Sequence, residues 1–181
     1  MVEQAVILCG GRGERLRPLT DRVNKCLIPV GNKPFVYHLI DRLLDAGILD
    51  IVLATRYLGY QFLPLTEKYK KVRISLSSGT NTKKDVLGIE KLHDRFLLVN
   101  GDCFPLGICW EDLIKYDGLC VLVKDKVDSG CAIVLKEWVK NGLLNPFKIS
   151  EMKQLLYNYP SERCLHIGSF EGLEEAKEYF K

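Results

Sequence analysis

AVILCGGRGERLRPLTDRVNKCLIPVGNKPF, residues 5–35, opens as a buried strand and runs at once into a loop crowded with glycine and arginine. Ala5 to Cys9 is a continuous apolar run closed by glycine, the pattern of a parallel strand covered on both faces. A surface turn after such a strand needs one glycine. Three of them, Gly10, Gly11 and Gly13, interleaved with Arg12, Arg15 and Arg17, set bare backbone N–H groups beside guanidinium forks. That combination suits a small polyanion, phosphate above all.

The same strand pattern recurs downstream. IVLAT (51–55), VRISL (72–76), FLLVN (96–100), LCVLV (119–123) and CAIVL (131–135) are short, apolar and rich in β-branched residues. Helical periods lie between them. Phe35, Leu39 and Leu43 with Val36, Ile40 and Leu44 form two adjacent i, i+4 rows, with Pro34 suited to the helix start and Gly47 to its stop. His38 falls off those rows and reads as an exposed helix residue. Residues 110–116 and 171–180 are further amphipathic segments, the second carrying Leu173, Ala176 and Phe180 on one stripe. The alternation predicts an α/β fold, a Rossmann-like three-layer sandwich with a mainly parallel, mixed central sheet. Ligands of such folds gather at the carboxyl ends of the strands, where the glycine loop and Asn100-Gly101-Asp102 both sit.

Composition bounds the reading. At 181 residues, 47% apolar and 27% charged, the chain can bury one substantial core, and a single domain over residues 1–181 is expected. A formal charge of +3, without a long basic stripe, argues against a nucleic-acid partner. The seven cysteines are odd in number, include no C-x-x-C pair and mostly occupy apolar runs, so they read as reduced, buried thiols. No basic and apolar leader precedes the first strand, and no apolar run approaches spanning length. A soluble, cytoplasmic protein without a membrane partner is the expectation.

Two familiar phosphate loops are excluded by spacing. The acid of a dinucleotide site would have to close the second strand, where Thr55-Arg56 stands instead, and no Gly-Lys-Ser/Thr closes the glycine loop. What remains, Gly-Gly-x-Gly-x-Arg-Leu-x-Pro-Leu-Thr with Lys25, Pro29 and Lys33-Pro34 behind it, resembles the signature of the sugar-1-phosphate nucleotidylyltransferases. Asn100-Gly101-Asp102 resembles that family's second motif. LHIGSFEGLEEAKEYF, residues 165–180, resembles its closing segment. Cys9 stands where a small residue is usual, Asn24 where proline is usual, His166 at an aspartate position, and Ser169-Phe170 for Thr-Pro.

The resemblance implies transfer of a nucleoside monophosphate from a nucleoside triphosphate to a sugar 1-phosphate, with release of pyrophosphate. It implies that Arg15 clamps the leaving pyrophosphate and Lys25 neutralises charge at the α-phosphate. Leu8, Gly10, Gly11, Gly13 and Asn100 would belong to the nucleotide site, with Ser78, Gly79 and Thr80 at the base. Asp102 would hold Mg²⁺, with Mn²⁺ as the alternative, and His166 is the candidate second ligand although imidazole is a poor one for Mg²⁺. Arg22 reads as solvated surface charge.

Residues 105–163 are shorter than the family's sugar-binding region. Lys126 is the candidate acceptor-phosphate lysine, Lys124 its rival, and residues 128–134 resemble a glycine-containing strand that lines the sugar. The shortening is compatible with a small non-sugar phosphate as acceptor, or with a site completed by a partner chain such as a second copy in a homo-oligomer. The competing function class is a nucleotide- or nucleotide-sugar-binding regulatory homologue with weakened catalysis.

Overall fold

Ala5, Ile7 and Cys9 enter one apolar cluster and Val6 enters another, so burial on both faces accounts for the unbroken apolar run at the start of the chain. The structure, a computed structural model, describes residues 1–77, 81–116, 120–124, 127–141, 157–160 and 163–181. Its strands are Gln4–Cys9 (β1), Pro29–Val30 (β2), Lys33–Pro34 (β3), Asp50–Thr55 (β4), Val72–Leu76 (β5), Arg95–Asn100 (β6), Cys103–Leu106 (β7), Cys120–Lys124 (β8), Val127–Leu135 (β9), Tyr157–Pro160 (β10) and Arg163–His166 (β11). Its α-helices are Phe35–Asp45 (α1), Leu65–Lys68 (α2), Thr82–Leu87 (α3), Trp110–Lys115 (α4), Lys136–Lys140 (α5) and Phe170–Tyr179 (α6).

Seven strands form the main sheet in the order β10-β8-β9-β6-β1-β4-β5. The pairings β1/β4, β1/β6, β4/β5 and β8/β10 are parallel, whereas β9 runs antiparallel to both β6 and β8. The sheet is therefore mixed and mainly parallel. Helices α1, α4 and α6 cover one face through Phe35, Leu39, Leu43, Leu113 and Leu173, and α3 and α5 cover the other through Val86 and Val139. Among the described residues no helix is long and apolar enough to cross a membrane.

Strand order decides where a ligand can sit. The chain steps outward from β1 to β4 and β5, then returns past β1 to lay down β6 on its other side. The carboxyl ends of β4, β1 and β6 thus open beside one another at the point where the order reverses. Register makes the alignment concrete: Leu8 is level with Ala54 on one side and with Asn100 on the other.

Two expectations need correction. His38 is buried, not exposed: its Nε2 donates to the Val30 carbonyl at 2.9 Å and its ring stacks on Phe180 at 3.8 Å. Phe180 follows the last turn of α6 and covers a flank of α1 that local periodicity leaves open. Burial pushes the His38 pKa down against the opposing pull of the Val30 hydrogen bond. Cys109, by contrast, is exposed where burial was expected, whereas Cys9, Cys26, Cys103 and Cys131 are buried as expected.

Candidate active site at the carboxyl end of the central strands

The loop after β1 is shaped by packing as much as by any ligand. Gly13 has φ of +65°, and a Cβ there would stand 2.9 Å from Thr20 Cγ2 and 3.2 Å from Lys25 Cβ. Of the three loop glycines, Gly10 and Gly11 line a cleft of about 240 Å³, while Gly13 packs against the turn that carries Lys25. Leu8, Lys25, Asn100 and Asp102 line the same cleft.

Lys25 is delivered by a short 3₁₀ turn, Lys25–Leu27, whose cap is Asn24. The Asn24 side chain accepts from the Cys26 N–H at 3.0 Å and donates to the carbonyls of Cys9 at 3.0 Å and Tyr57 at 2.7 Å. A single buried amide thereby ties the lysine turn to the end of β1 and to the segment after β4. Its backbone N–H donates to Gln61 Oε1 at 2.8 Å.

Asp102 comes from β6 by way of Gly101, whose N–H donates to the Leu8 carbonyl at 3.0 Å. No side chain fits at Gly101, since a Cβ would lie 2.7 Å from that carbonyl oxygen and 2.9 Å from the thiols of Cys9 and Cys26. Asp102 Oδ2 pairs with Lys25 Nζ and lies 3.2 Å from His166 Nε2. Burial alone would raise the Asp102 pKa, but the His166 hydrogen bond and the Lys25 charge outweigh it and hold the carboxyl well below the usual range. Burial works the other way on Lys25, and the Asp102 charge overrides it, raising the ammonium pKa. The pair is ionised at neutral pH.

His166 reaches this point through a two-stranded antiparallel sheet. β11 pairs with β7 so that His166 is level with Cys103, and the Ile167 N–H donates to the Asp102 carbonyl at 2.9 Å. Ligand atoms of Asp102, Cys103 and His166 all lie within 4.8 Å of one another. Carboxylate, imidazole and thiol together form a borderline donor set, suited to Mn²⁺ or a softer ion better than to Mg²⁺, which prefers oxygen throughout. Exposed Arg15 lies at the same turn, its Nη2 2.9 Å from the place a Cβ on Gly168 would take. The closing Ser169 caps α6 by accepting from the Gly172 N–H at 3.3 Å, the role a threonine could equally fill.

Three distant segments therefore meet: residues 8–25, 100–102 and 166–168. Ser78, Gly79, Thr80 and Lys126 lie outside the described residues. Gly130, on β9, approaches the site from the remaining side, where a Cβ would stand 3.0 Å from Asn100 Nδ2. Sequence reasoning missed Cys103, and it missed Arg56 and Asp85, which line the cleft with Ala54 and Thr82. Thr55-Arg56 had been noted only for the acid it lacks, and the polar run around Asp85 does not announce the helix α3 that positions it. A second cleft, about 340 Å³, lies between α1 and the segment after β7, and no residue of the glycine loop lines it.

Residues 4–94 match the model of the family described as Nucleotidyl transferase. Mannose-1-phosphate guanyltransferase of Saccharomyces cerevisiae is 38% identical over 172 residues, which are 86% of this chain and 47% of the relative. Mannose-1-phosphate guanyltransferase of Aspergillus fumigatus is 43% identical over 142 residues, 74% of this chain and 37% of the relative. The chain thus spans less than half the length of these relatives. Among solved structures, HddC of Yersinia pseudotuberculosis complexed with GMP-PN superposes with a TM-score of 0.77 at 20% identity, covering 99% of this chain and 100% of that one. CTP:phosphocholine cytidylyltransferase of Streptococcus pneumoniae superposes with a TM-score of 0.75 at 22% identity over 100% of both chains. These last two likenesses bear on the fold.

Proposed function

Because the chain belongs to the nucleotidyl transferase family, we propose that it transfers a nucleoside monophosphate from a nucleoside triphosphate to a sugar 1-phosphate, forming a nucleotide sugar and releasing pyrophosphate. The observation that carries this reading is the meeting of Lys25 and Asp102, from the first and second motifs, in a cleft that Leu8 and Ala54 also line. The apolar side chains of Leu8 and Ala54 suit a planar base. A half-buried ion pair beside glycine amides suits its phosphates.

In the reaction an oxygen of the sugar phosphate attacks the α-phosphorus, one P–O bond forms, and the bond to the β-phosphate bridging oxygen breaks. The displacement needs alignment and charge stabilisation rather than a protein nucleophile. Backbone N–H groups around Gly11 would hold the β- and γ-phosphates, and Arg15 would clamp the departing pyrophosphate. Lys25, released in part from Asp102 when the triphosphate enters, would turn its charge to the α-phosphate. Gly130, packed beside Asn100, would line the acceptor's approach.

Asp102 and His166 would hold a divalent cation, which would add further charge neutralisation at the phosphates when bound. The imidazole ranks Mn²⁺ ahead of Mg²⁺ at this position. His166→Asp is expected to reverse that order, tightening Mg²⁺ relative to Mn²⁺ by about 10-fold. Competition of the two ions, followed through the electron paramagnetic resonance of free Mn²⁺, reads this without turnover. An unchanged ratio would remove His166 from the cation site.

The relatives' names make GTP and mannose 1-phosphate the first pair to try. Mass spectrometry of the reaction mixture should show the corresponding nucleotide sugar. Its absence across a panel of sugar 1-phosphates and phosphocholine, under conditions where nucleotide binds, would overturn the assignment.

A further inference from the structure

Beyond the phosphate end, the cleft contains a charged pair that the reaction does not use. Asp85, on α3, is 3% exposed, and Arg56 follows β4; Arg56 Nη1 lies 3.4 Å from Asp85 Oδ2. Asp85 Oδ1 and Arg56 Nη1 are both buried and, among the described residues, make no hydrogen bond. Both residues line the cleft that Leu8, Gly10 and Gly11 form. The pair sits hard against the glycine loop, with Asp85 Oδ2 3.0 Å from the position of a Cβ on Gly10.

A buried carboxylate oxygen and a buried guanidinium nitrogen without a hydrogen bond, on two residues that line one cleft, are costly unless a ligand satisfies them. We propose that Asp85 and Arg56 read the edge of the nucleotide base and select guanine. The inference rests on the nucleotidyl-transfer reading of this cleft and adds the residues that choose its substrate.

The chemistry of the bases decides between them. A carboxylate accepts only, and its two oxygens match two parallel N–H donors. Guanine carries such a pair in N1–H and the N2 amino group, with O6 alongside as an acceptor for Arg56. Adenine and cytosine each carry one amino donor beside an unprotonated ring nitrogen, whose lone pair faces the second carboxylate oxygen. Uracil and thymine carry one N–H between two carbonyls. Only guanine satisfies Asp85 twice and Arg56 once, and every other base leaves a buried acceptor facing an acceptor.

Inosine triphosphate lacks the N2 amino group and isolates this contact without altering the protein. Calorimetric titration of the wild-type chain with Mg²⁺ present and no acceptor should give GTP at least about 10-fold tighter than ITP, and tighter still relative to CTP and UTP, as expected for loss of a hydrogen bond to a charged acceptor. Asp85→Asn, nearly isosteric, should bring GTP and ITP within about 3-fold of each other. Equal affinity for GTP and ITP in the wild-type chain would overturn the proposal, as would a gap that survives in Asp85→Asn. Either result with tight nucleotide binding leaves the transferase reading standing. Failure of every nucleotide to bind would overturn both. The GTP and ITP comparison in the wild type needs no variant, so a folding defect in Asp85→Asn does not shelter the idea.

Discussion

Lys25→Ala is expected to lower turnover by about 100- to 1,000-fold, the usual cost of removing one preorganised charge from a phosphate-transfer site. Lys25 is held in place by two features of the structure: the Asn24-capped turn behind it and the Asp102 carboxylate in front. Its ammonium keeps its proton because Asp102 more than offsets the cost of burial. Removing it leaves Asp102 its contact with His166 Nε2, so the fold should survive with a modest loss of stability. Lys25→Arg should restore little, because a planar fork cannot occupy the space left by Gly11, where the lysine Nζ lies 3.5 Å from the position of a Cβ. A steady-state comparison at saturating nucleotide checks this. Near-normal kcat in Lys25→Ala would remove the residue from the reaction.

Asn24→Ala is expected to cost about 2–3 kcal/mol, enough to lower the melting temperature by roughly 5–10 °C in a chain of this size. The loss is large for one amide because the side chain serves three groups at once, and its removal strands the carbonyls of Cys9 and Tyr57. Asn24→Asp should do no better. It keeps the acceptor for the Cys26 N–H but sets a carboxylate against those two carbonyl oxygens. Thermal unfolding followed by circular dichroism separates the outcomes, and a melting temperature within about 1 °C of wild type in either variant would contradict the bracing role assigned to Asn24. The same substitution should loosen Lys25, so kcat should fall together with stability.

The doubly covered strands were legible because their signal is local. The run Ala5 to Cys9 and its counterparts downstream each announce themselves without reference to a neighbour, and β5 has the predicted bounds, Val72–Leu76. The helix α1 was equally plain, with Gly47 in the left-handed region just past its end. What escaped depends on distant partners. β7 and β11 are four residues each, and β11 includes Arg163 and His166, so nothing in either sequence signals that pairing places His166 beside Cys103. Asn81 caps α3 by accepting from the Lys84 N–H, yet the helix offers the core only the two apolar residues at its end, Val86 and the partly buried Leu87. Its polarity conceals it, and Asp85 with it.

The site was legible to the extent that its residues belong to contiguous motifs. Gly11, Lys25 and Asp102 were found because spacing and residue type travel together along the chain. Arg56 and Asp85, 29 positions apart, share a cleft only because β1, β4 and α3 stack at one end of the sheet. His38 was misjudged for the same reason: the Phe180 ring that covers it arrives from the far end of the sequence.

The most direct test of nucleotidyl transfer at this cleft is pyrophosphate release from GTP, measured with and without mannose 1-phosphate in the wild-type chain and in Lys25→Ala. Release that depends on the acceptor and falls about 100-fold or more in the variant is the predicted result. Release independent of any acceptor, or equal in the two proteins, would contradict the account. So would its absence in a chain that binds the nucleotide, a result that would favour a nucleotide-sensing relative of these enzymes instead.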